Sequence, residues 1–234
     1  MDIETYSSLA IQYYQSKIPP LLLKYIPSKF KTVLDCGCGD GSLINSLLKS
    51  KNFQKKIIYA IDLSKNRISL VKRNFGKQII AYVDNAETLS HIKTNSIDIF
   101  IAEQVIEHVN DKKMIKNITR VTKKHSVIYL STVIKSKYAW YFYVNSAGKH
   151  VLDPTHIREY PNETSIINLF NKTNYQVIKY QKKLFRYPIS DVIFKIFKIK
   201  NRQIYSNWFL TICRQLSIPI PGYYKFEIVL LRIK

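Results

Sequence analysis

Val33-Leu34-Asp35-Cys36-Gly37-Cys38-Gly39-Asp40-Gly41 is the stretch on which the fold turns. An apolar run, Lys31 to Asp35, leads into it and an amphipathic run, Ser42 to Leu48, leads out, which predicts a strand, a tight turn and a helix. Three glycines at alternate positions let the backbone turn sharply at the carboxyl end of the strand and let a ligand approach without a side chain in the way. A dinucleotide fingerprint would read Gly-x-Gly-x-x-Gly, with the helix N-terminus facing a pyrophosphate. Here the spacing is Gly-x-Gly-x-Gly, and Asp35 ahead of it suits the cationic amino group of an amino-acid ligand better than a phosphate.

Outward from this turn, apolar and amphipathic runs alternate. Strands are predicted at Ile57–Asp62, Gln78–Val83, Ile97–Ala102 and Ser126–Leu130, and helices at Asn66–Asn74 and Asp111–Thr122. The strands are apolar on both faces, as a parallel sheet covered by helices on both sides requires, and the repeating strand-helix order agrees. Past Ser131 a polar, aromatic connection runs over 135–161, followed by a predicted helix at Glu163–Thr173 and a strand at Tyr175–Tyr180. Residues 186–222 break the pattern with Pro188, Pro219 and Pro221, and Tyr224–Ile233 reads as a closing strand.

The 234 residues suffice for one α/β domain with insertions, and the expectation is a single domain over 1–234. No run of about 20 uncharged apolar residues and no signal-peptide pattern is present, which predicts a soluble, cytoplasmic protein. Three cysteines, two of them only two positions apart at Cys36 and Cys38, predict free thiols. The formal charge of +21 favours anionic partners. Lys and Arg outnumber Asp and Glu by 24 to 13 over residues 1–160 and by 13 to 3 over 161–234, so the last third is nearly twice as basic per residue. Much of this charge reads as solvated surface. The basic-aromatic run Val192–Lys200, with Trp208, Phe209 and Leu210, reads as a lid over the sheet or as a peripheral membrane contact through 192–210.

With these elements in place the chain resembles the class I S-adenosylmethionine (SAM)-dependent methyltransferases over roughly residues 30–135. Their first motif is Asp/Glu-x-Gly-x-Gly-x-Gly. The resemblance implies a Rossmann-like α/β fold: a seven-stranded, mostly parallel sheet with helices on both faces, an antiparallel last strand, and C-terminal helical insertions near 135–161 and 186–222 on the acceptor side. It implies that Gly37, Cys38, Gly39 and Gly41 wrap the methionine part of SAM beside Asp35, and that Asp62, followed by Leu63, accepts from the ribose hydroxyls, a carboxylate being suited to two vicinal donors. Asn85, between Asp84 and Ala86, falls where the family reads the adenine edge. Asp84 is the alternative.

Glu103-Gln-Val-Ile-Glu-His108 resembles the Glu-His signature of a subgroup containing quinone-ring and other small-molecule methyltransferases, and puts Glu103 beside the cofactor. Some members hold a divalent metal with Glu-x-x-Glu-His and a distant His. Gln104 replaces the first Glu here, which counts against a metal and leaves Glu107, His108 and His156 as its candidate ligands. Asp153-Pro-Thr-His156-Ile-Arg158-Glu159 resembles an acceptor-side segment, with His156, and with it His108, as candidate acid-base residues. Pairing with Glu159 or another local carboxylate is the commoner role for Arg158. The implied function is methyl transfer to a small-molecule or lipid-like acceptor, leaving S-adenosylhomocysteine. An RNA or protein methyltransferase and a catalytically silent partner subunit are the alternatives; the first has the charge in its favour but lacks an Asn/Asp-Pro-Pro-Tyr signature.

Overall fold

The computed structural model describes residues 17–139, 143–144, 147–153, 155–171, 173–188 and 216–234. The elements in chain order are α1 (Pro20–Tyr25), β1 (Thr32–Cys36), α2 (Ser42–Lys49), β2 (Ile57–Asp62), α3 (Lys65–Phe75), β3 (Ile80–Val83), β4 (Ile97–Glu103), α4 (Asp111–Val121) and β5 (Thr122–Lys135). The short β6 (Tyr143–Val144) and β7 (His150–Val151), α5 (Glu163–Ile167), β8 (Tyr175–Pro188) and β9 (Ser217–Arg232) follow. Seven strands form one sheet in the order β3-β2-β1-β4-β5-β9-β8, with β9 antiparallel to both neighbours. The order reverses between β1 and β4, and a crevice opens outside their carboxyl ends at such a switch point.

Strand alternation divides the core in two. Leu34, Cys36, Phe100, Ala102, Ile128 and Leu130 face one side and pack on Met114, Ile115, Ile118 and Val121 of α4. Val33, Ile99, Ile101, Val127 and Tyr129 face the other and pack on Leu43, Ile44 and Leu47 of α2 and on Ile68 and Val71 of α3. The helices start where their caps dictate. Ser64 accepts from the Arg67 N–H at 3.2 Å and Asn110 from the Lys113 N–H at 3.1 Å, each satisfying a donor the helix leaves open.

Two sequence expectations are corrected. The helix predicted at Glu163–Thr173 stops at Ile167, after which the chain goes on in turns: beyond the Asn162 cap only Ile166 and Phe170 are deeply buried, too little apolar surface to hold three turns. The insertion at 135–161 carries no helix among its described residues; it is built of turns and the β6–β7 hairpin. Of 186–222, the described ends belong to β8 and β9, while 189–215, with Val192–Lys200 and Trp208–Leu210, lie outside the described residues. Among the described residues no helix is long and apolar enough to cross a membrane.

Candidate active site

The glycine turn lies at the carboxyl end of β1. Gly37, Gly39 and Gly41 have φ of 75°, 53° and 84°, in the left-handed region that glycine adopts without strain. The reasons differ along the turn. A Cβ on Gly37 would stand 2.4 Å from Val105, and one on Gly41 2.6 Å from the Phe75 ring, so these two let the loop close on its own scaffold. Nothing lies within 4 Å of the corresponding position on Gly39, whose open side is the one a ligand can reach.

Asp62 ends β2 and fixes this turn from the side. Its carboxylate accepts from the Gly39 N–H at 2.9 Å and from the Ser64 N–H at 2.9 Å, with Arg67 at 3.7 Å. A carboxylate has about four acceptor positions, so lone pairs remain for ribose hydroxyls. Leu63 beside it is 48% exposed, an apolar surface suited to a base. At the end of β3, Asp84 accepts from the N–H groups of Asn85, Ser90 and His91 and from the Ser90 hydroxyl. Burial alone would raise its pKa, but these bonds prevail and hold it below the usual carboxylate range. Asp84 thus organises the 84–91 loop, and half-buried Asn85 projects from that loop with its amide oxygen on the Glu87 N–H at 2.8 Å. Ala86 packs underneath.

Asp35 behaves otherwise. It is 3% exposed and its Oδ2 has no hydrogen-bond partner. Burial first, then the charges of Glu103 and Asp62, push its pKa well above the usual range. A cationic group over the glycine turn would relieve this, so the pocket fits the ammonium of an amino-acid moiety. Glu103 at the end of β4 is raised by burial as well, but Lys225 at 3.2 Å offsets part of that. The Cys36 and Cys38 thiols are free, and burial followed by the Asp35 charge pushes both up, which makes them packing residues rather than nucleophiles.

A second cluster lies past the end of β4. Gln104 takes a left-handed φ of 56°, unusual for a residue with a Cβ, and its buried Nε2 has no partner. Glu107 is fully buried, and burial pushes its pKa up to about 7. His108 and His156, 48 positions apart in sequence, meet edge to face with ring centroids 4.7 Å apart. Burial and then the neighbouring His156 lower the pKa of His108 to about 4, so it is neutral at pH 7. One ligand atom from each of Glu107, His108 and His156 lies within 4.8 Å of the others, so the candidate metal ligands do converge. Outward, His108 Nδ1 meets the Thr155 hydroxyl at 3.0 Å and His156 Nδ1 meets Glu159 at 3.1 Å. Glu159 also accepts from the Leu152 N–H; burial opposes ionisation, yet His156 and Leu152 hold its pKa down. Arg158 pairs with Asp111, the local carboxylate.

Some residues at this edge had no sequence signal. Thr132 is on the β5 face that meets Glu107, its buried hydroxyl beside that carboxylate. On the other face Tyr129 donates to buried Glu227, which also accepts from Gln181. These groups are brought together by strand register alone, Ser131 opposite Glu227, and no local motif marks them.

A family model described as a methyltransferase domain matches residues 34–130. The chain is similar to the ubiquinone biosynthesis O-methyltransferase of Coxiella burnetii, 28% identical over 137 residues, covering 56% of this chain and 57% of that protein. It thus spans little more than half the length of that curated relative. In fold it is similar to phosphoethanolamine N-methyltransferase 2 of Haemonchus contortus, solved with phosphomonomethylethanolamine and S-adenosylhomocysteine, with a TM-score of 0.61, 16% identity and coverage of 91% of this chain and 51% of that one. It is also similar to the cyclase SpnF, with a TM-score of 0.60, 11% identity and coverage of 91% and 78%. The matched stretch runs from β1 into β5 and takes in the glycine turn, Asp62, Asn85 and the Glu103–His108 stretch, so the part of the chain that is similar to a methyltransferase domain is the part that carries the site.

Proposed function

We propose that the chain, acting as one domain over residues 1–234, transfers the methyl group of SAM to a hydroxyl of a small-molecule or lipid-like acceptor. The observation that carries this reading is the buried Asp35 carboxylate, its Oδ2 unpartnered, beside an open glycine turn and one strand away from buried Glu107 and two facing histidines. The relatives named for ubiquinone O-methylation support the acceptor class.

SAM supplies a methyl already activated on a sulfonium, so the protein mainly aligns and shields. Asp35 holds the cationic amino group, Asp62 the ribose hydroxyls, and Leu63, Asn85 and Ala86 line the base, while the backbone from Gly37 to Gly41, Cys38 included, forms the floor beside Glu103. A hydroxyl acceptor must also lose a proton. His108 is neutral and His156 is oriented by Glu159, so either imidazole can take that proton, with buried Glu107 beside them to share it. SpnF shares the fold and is named a cyclase, so fold likeness alone does not fix the reaction.

A second reading of the same cluster is a divalent-metal site that polarises the acceptor hydroxyl. It is favoured by the convergence of Glu107, His108 and His156 and by the outer contacts of both rings with Glu159 and Thr155, an arrangement that fixes imidazole ligands. Gln104 would add a neutral donor where the family pattern has an anionic one.

The test is transfer of label from methyl-labelled SAM into a cell extract separated into lipid, small-molecule, RNA and protein fractions, with Asp35→Asn as control. Label in the first two fractions, lost in the variant, is expected. Label in RNA or protein overturns the acceptor class, and no transfer despite SAM binding points to the silent-subunit reading. Repeating the assay after chelation, then with added Mg²⁺ or Zn²⁺, separates the acid-base reading from the metal one.

A further inference from the structure

The 84–91 loop, which carries Asn85, is fastened to α4 in two places of different character. Toward the end of the helix Arg120 holds the loop backbone: Nη1 donates to the Ile92 carbonyl at 2.9 Å, Nη2 to those of Thr88 and Leu89 at 2.9 and 2.7 Å, and Nε to Asn117 Oδ1 at 3.0 Å. Asn117 in turn donates to the Glu87 carbonyl at 2.6 Å. Those bonds hold the loop whatever side chain stands at position 87. At the start of the helix the contact is a single carboxylate. Glu87 Oε1 accepts from the Asn110 N–H at 2.8 Å, and Oε2 is 3.5 Å from the Lys113 ammonium.

That carboxylate completes a cap which the helix does not supply for itself. Asn110 caps α4 with its own side chain on the Lys113 N–H at 3.1 Å. In a capping box the third helical residue is an acid that reaches back to the N–H of the cap residue. Here that residue is Lys113, which has no acceptor, and Glu87, 23 positions upstream of the cap, takes the place instead. The same helix start positions the second cluster. His108 stands two residues before the cap. Asp111, the first residue of α4, accepts from the Tyr160 hydroxyl at 3.3 Å and pairs with Arg158, while the Glu107 carbonyl accepts from the Ile157 N–H at 3.0 Å. The cap therefore lies between the loop at the end of β3 and the segment that bears His156.

We propose that Glu87 is a positioning residue: by capping α4 from the 84–91 loop it couples cofactor occupancy to the setting of His108 and, through Asp111 and Arg158, of His156. Glu87 acts through the Asn110 N–H rather than on the reacting atoms. The coupling rests on the reading of Asn85 as the adenine contact and needs no particular acceptor. A ligand that steadies the loop steadies the helix start, and by reciprocity a set helix start favours the ligand.

The experiment is hydrogen exchange of the full chain, read by mass spectrometry with and without saturating S-adenosylhomocysteine, in the parent, Glu87→Ala and Glu87→Gln. In the parent the ligand is expected to slow exchange about fivefold or more in 84–91 and also in 105–111 and 156–160. In Glu87→Ala the slowing should persist in 84–91, which Arg120 still holds, and fall below about twofold in the other two segments. Glu87→Gln, which keeps an oxygen for the Asn110 N–H, should restore most of it. A merely structural role would change exchange in the ligand-free chain and leave the ligand-dependent difference as it was, and that result overturns the proposal. So does slowing confined to 84–91 in the parent. No slowing at 84–91 in the parent overturns the assignment of the cofactor site itself, and the coupling with it.

Discussion

The outer strands β2 and β3 and the central strands β1 and β4 treat buried polar groups in opposite ways. Asp62 and Asp84, ending β2 and β3, place both carboxylate oxygens on backbone N–H groups, and the loops they organise are complete without a ligand. At the ends of β1 and β4, Asp35 and Gln104 leave buried polar atoms without partners, and the buried Glu107 carboxylate has too few to hold its charge. An unsatisfied buried polar group costs about 1–3 kcal/mol, more if charged, so the first set works for the fold and the second works against it. Such a cost persists where a ligand removes it. The satisfied half is a preformed platform, and the unsatisfied half is where binding and chemistry are placed.

The largest expected effect comes from Glu107. Its pKa is raised to about 7 in the folded chain against 4.5 for an ordinary glutamate, so the native state binds the proton more tightly than the unfolded one. The stability this gives is complete below pH 4.5 and is lost as pH rises through 7, a change of roughly 3 kcal/mol. His108, lowered from 6.5 to about 4, acts in the opposite sense, and stability falls as pH drops through that range. Glu107→Gln removes the first dependence only. The variant should match the parent near pH 4 and exceed it at pH 8 in urea unfolding, while methyl transfer falls about a thousandfold at saturating SAM. A variant less stable than the parent at pH 8 would show that Glu107 is a satisfied structural residue and would erase the contrast between the two halves.

Next in size is Asp35. Replacing it with Asn keeps its shape and removes a buried charge whose pKa is raised by desolvation, so the ligand-free chain should be no less stable than the parent at neutral pH. Affinity for S-adenosylhomocysteine should fall about a hundredfold, the worth of one charge-assisted contact in a buried site, as read by calorimetry. Unchanged affinity would mean that the amino group of the ligand is held elsewhere.

The same contrast governs what could be read from the sequence. The platform half is made of local signals: glycine spacing, an Asp one strand later and an Asn after a third strand fix backbone turns within a few residues, and the structure puts all of them on one edge. β2 has the bounds its apolar run predicts, and β1 and β4 lie within a residue or so of theirs, because burial on both faces leaves no alternation to blur the ends. β5, β8 and β9 extend well past their apolar cores, and at the edge strand β8 charged residues such as Lys179, Lys182 and Lys183 pair as readily as apolar ones. In the unsatisfied half, the Glu-His and Asp-Pro-x-His segments are visible as motifs, but their meeting depends on the path of the 135–161 insertion. The pairing of Tyr129 with Glu227, 98 positions apart, depends on strand register, which no window of sequence contains.

Asp84 gives the smallest effect and the sharpest control. Its pKa is lowered by hydrogen bonds from His91, Ser90 and Asn85 that outweigh burial, so it contributes stability above the ordinary carboxylate range and loses it as pH falls through the depressed value. Asp84→Asn should therefore cost about 1–2 kcal/mol at pH 7, since an amide has one acceptor oxygen where the carboxylate uses two. That loss should shrink toward acid pH, where the parent carboxylate is itself protonated. Cofactor affinity should change by no more than a fewfold, because both oxygens of Asp84 are taken up by the N–H groups of its own loop. Asp35→Asn and Asp84→Asn are the same chemical substitution, one expected to spare stability and weaken binding, the other to spare binding and cost stability. If urea unfolding and calorimetry gave both variants the same profile, hydrogen-bond satisfaction would not be what separates platform from site.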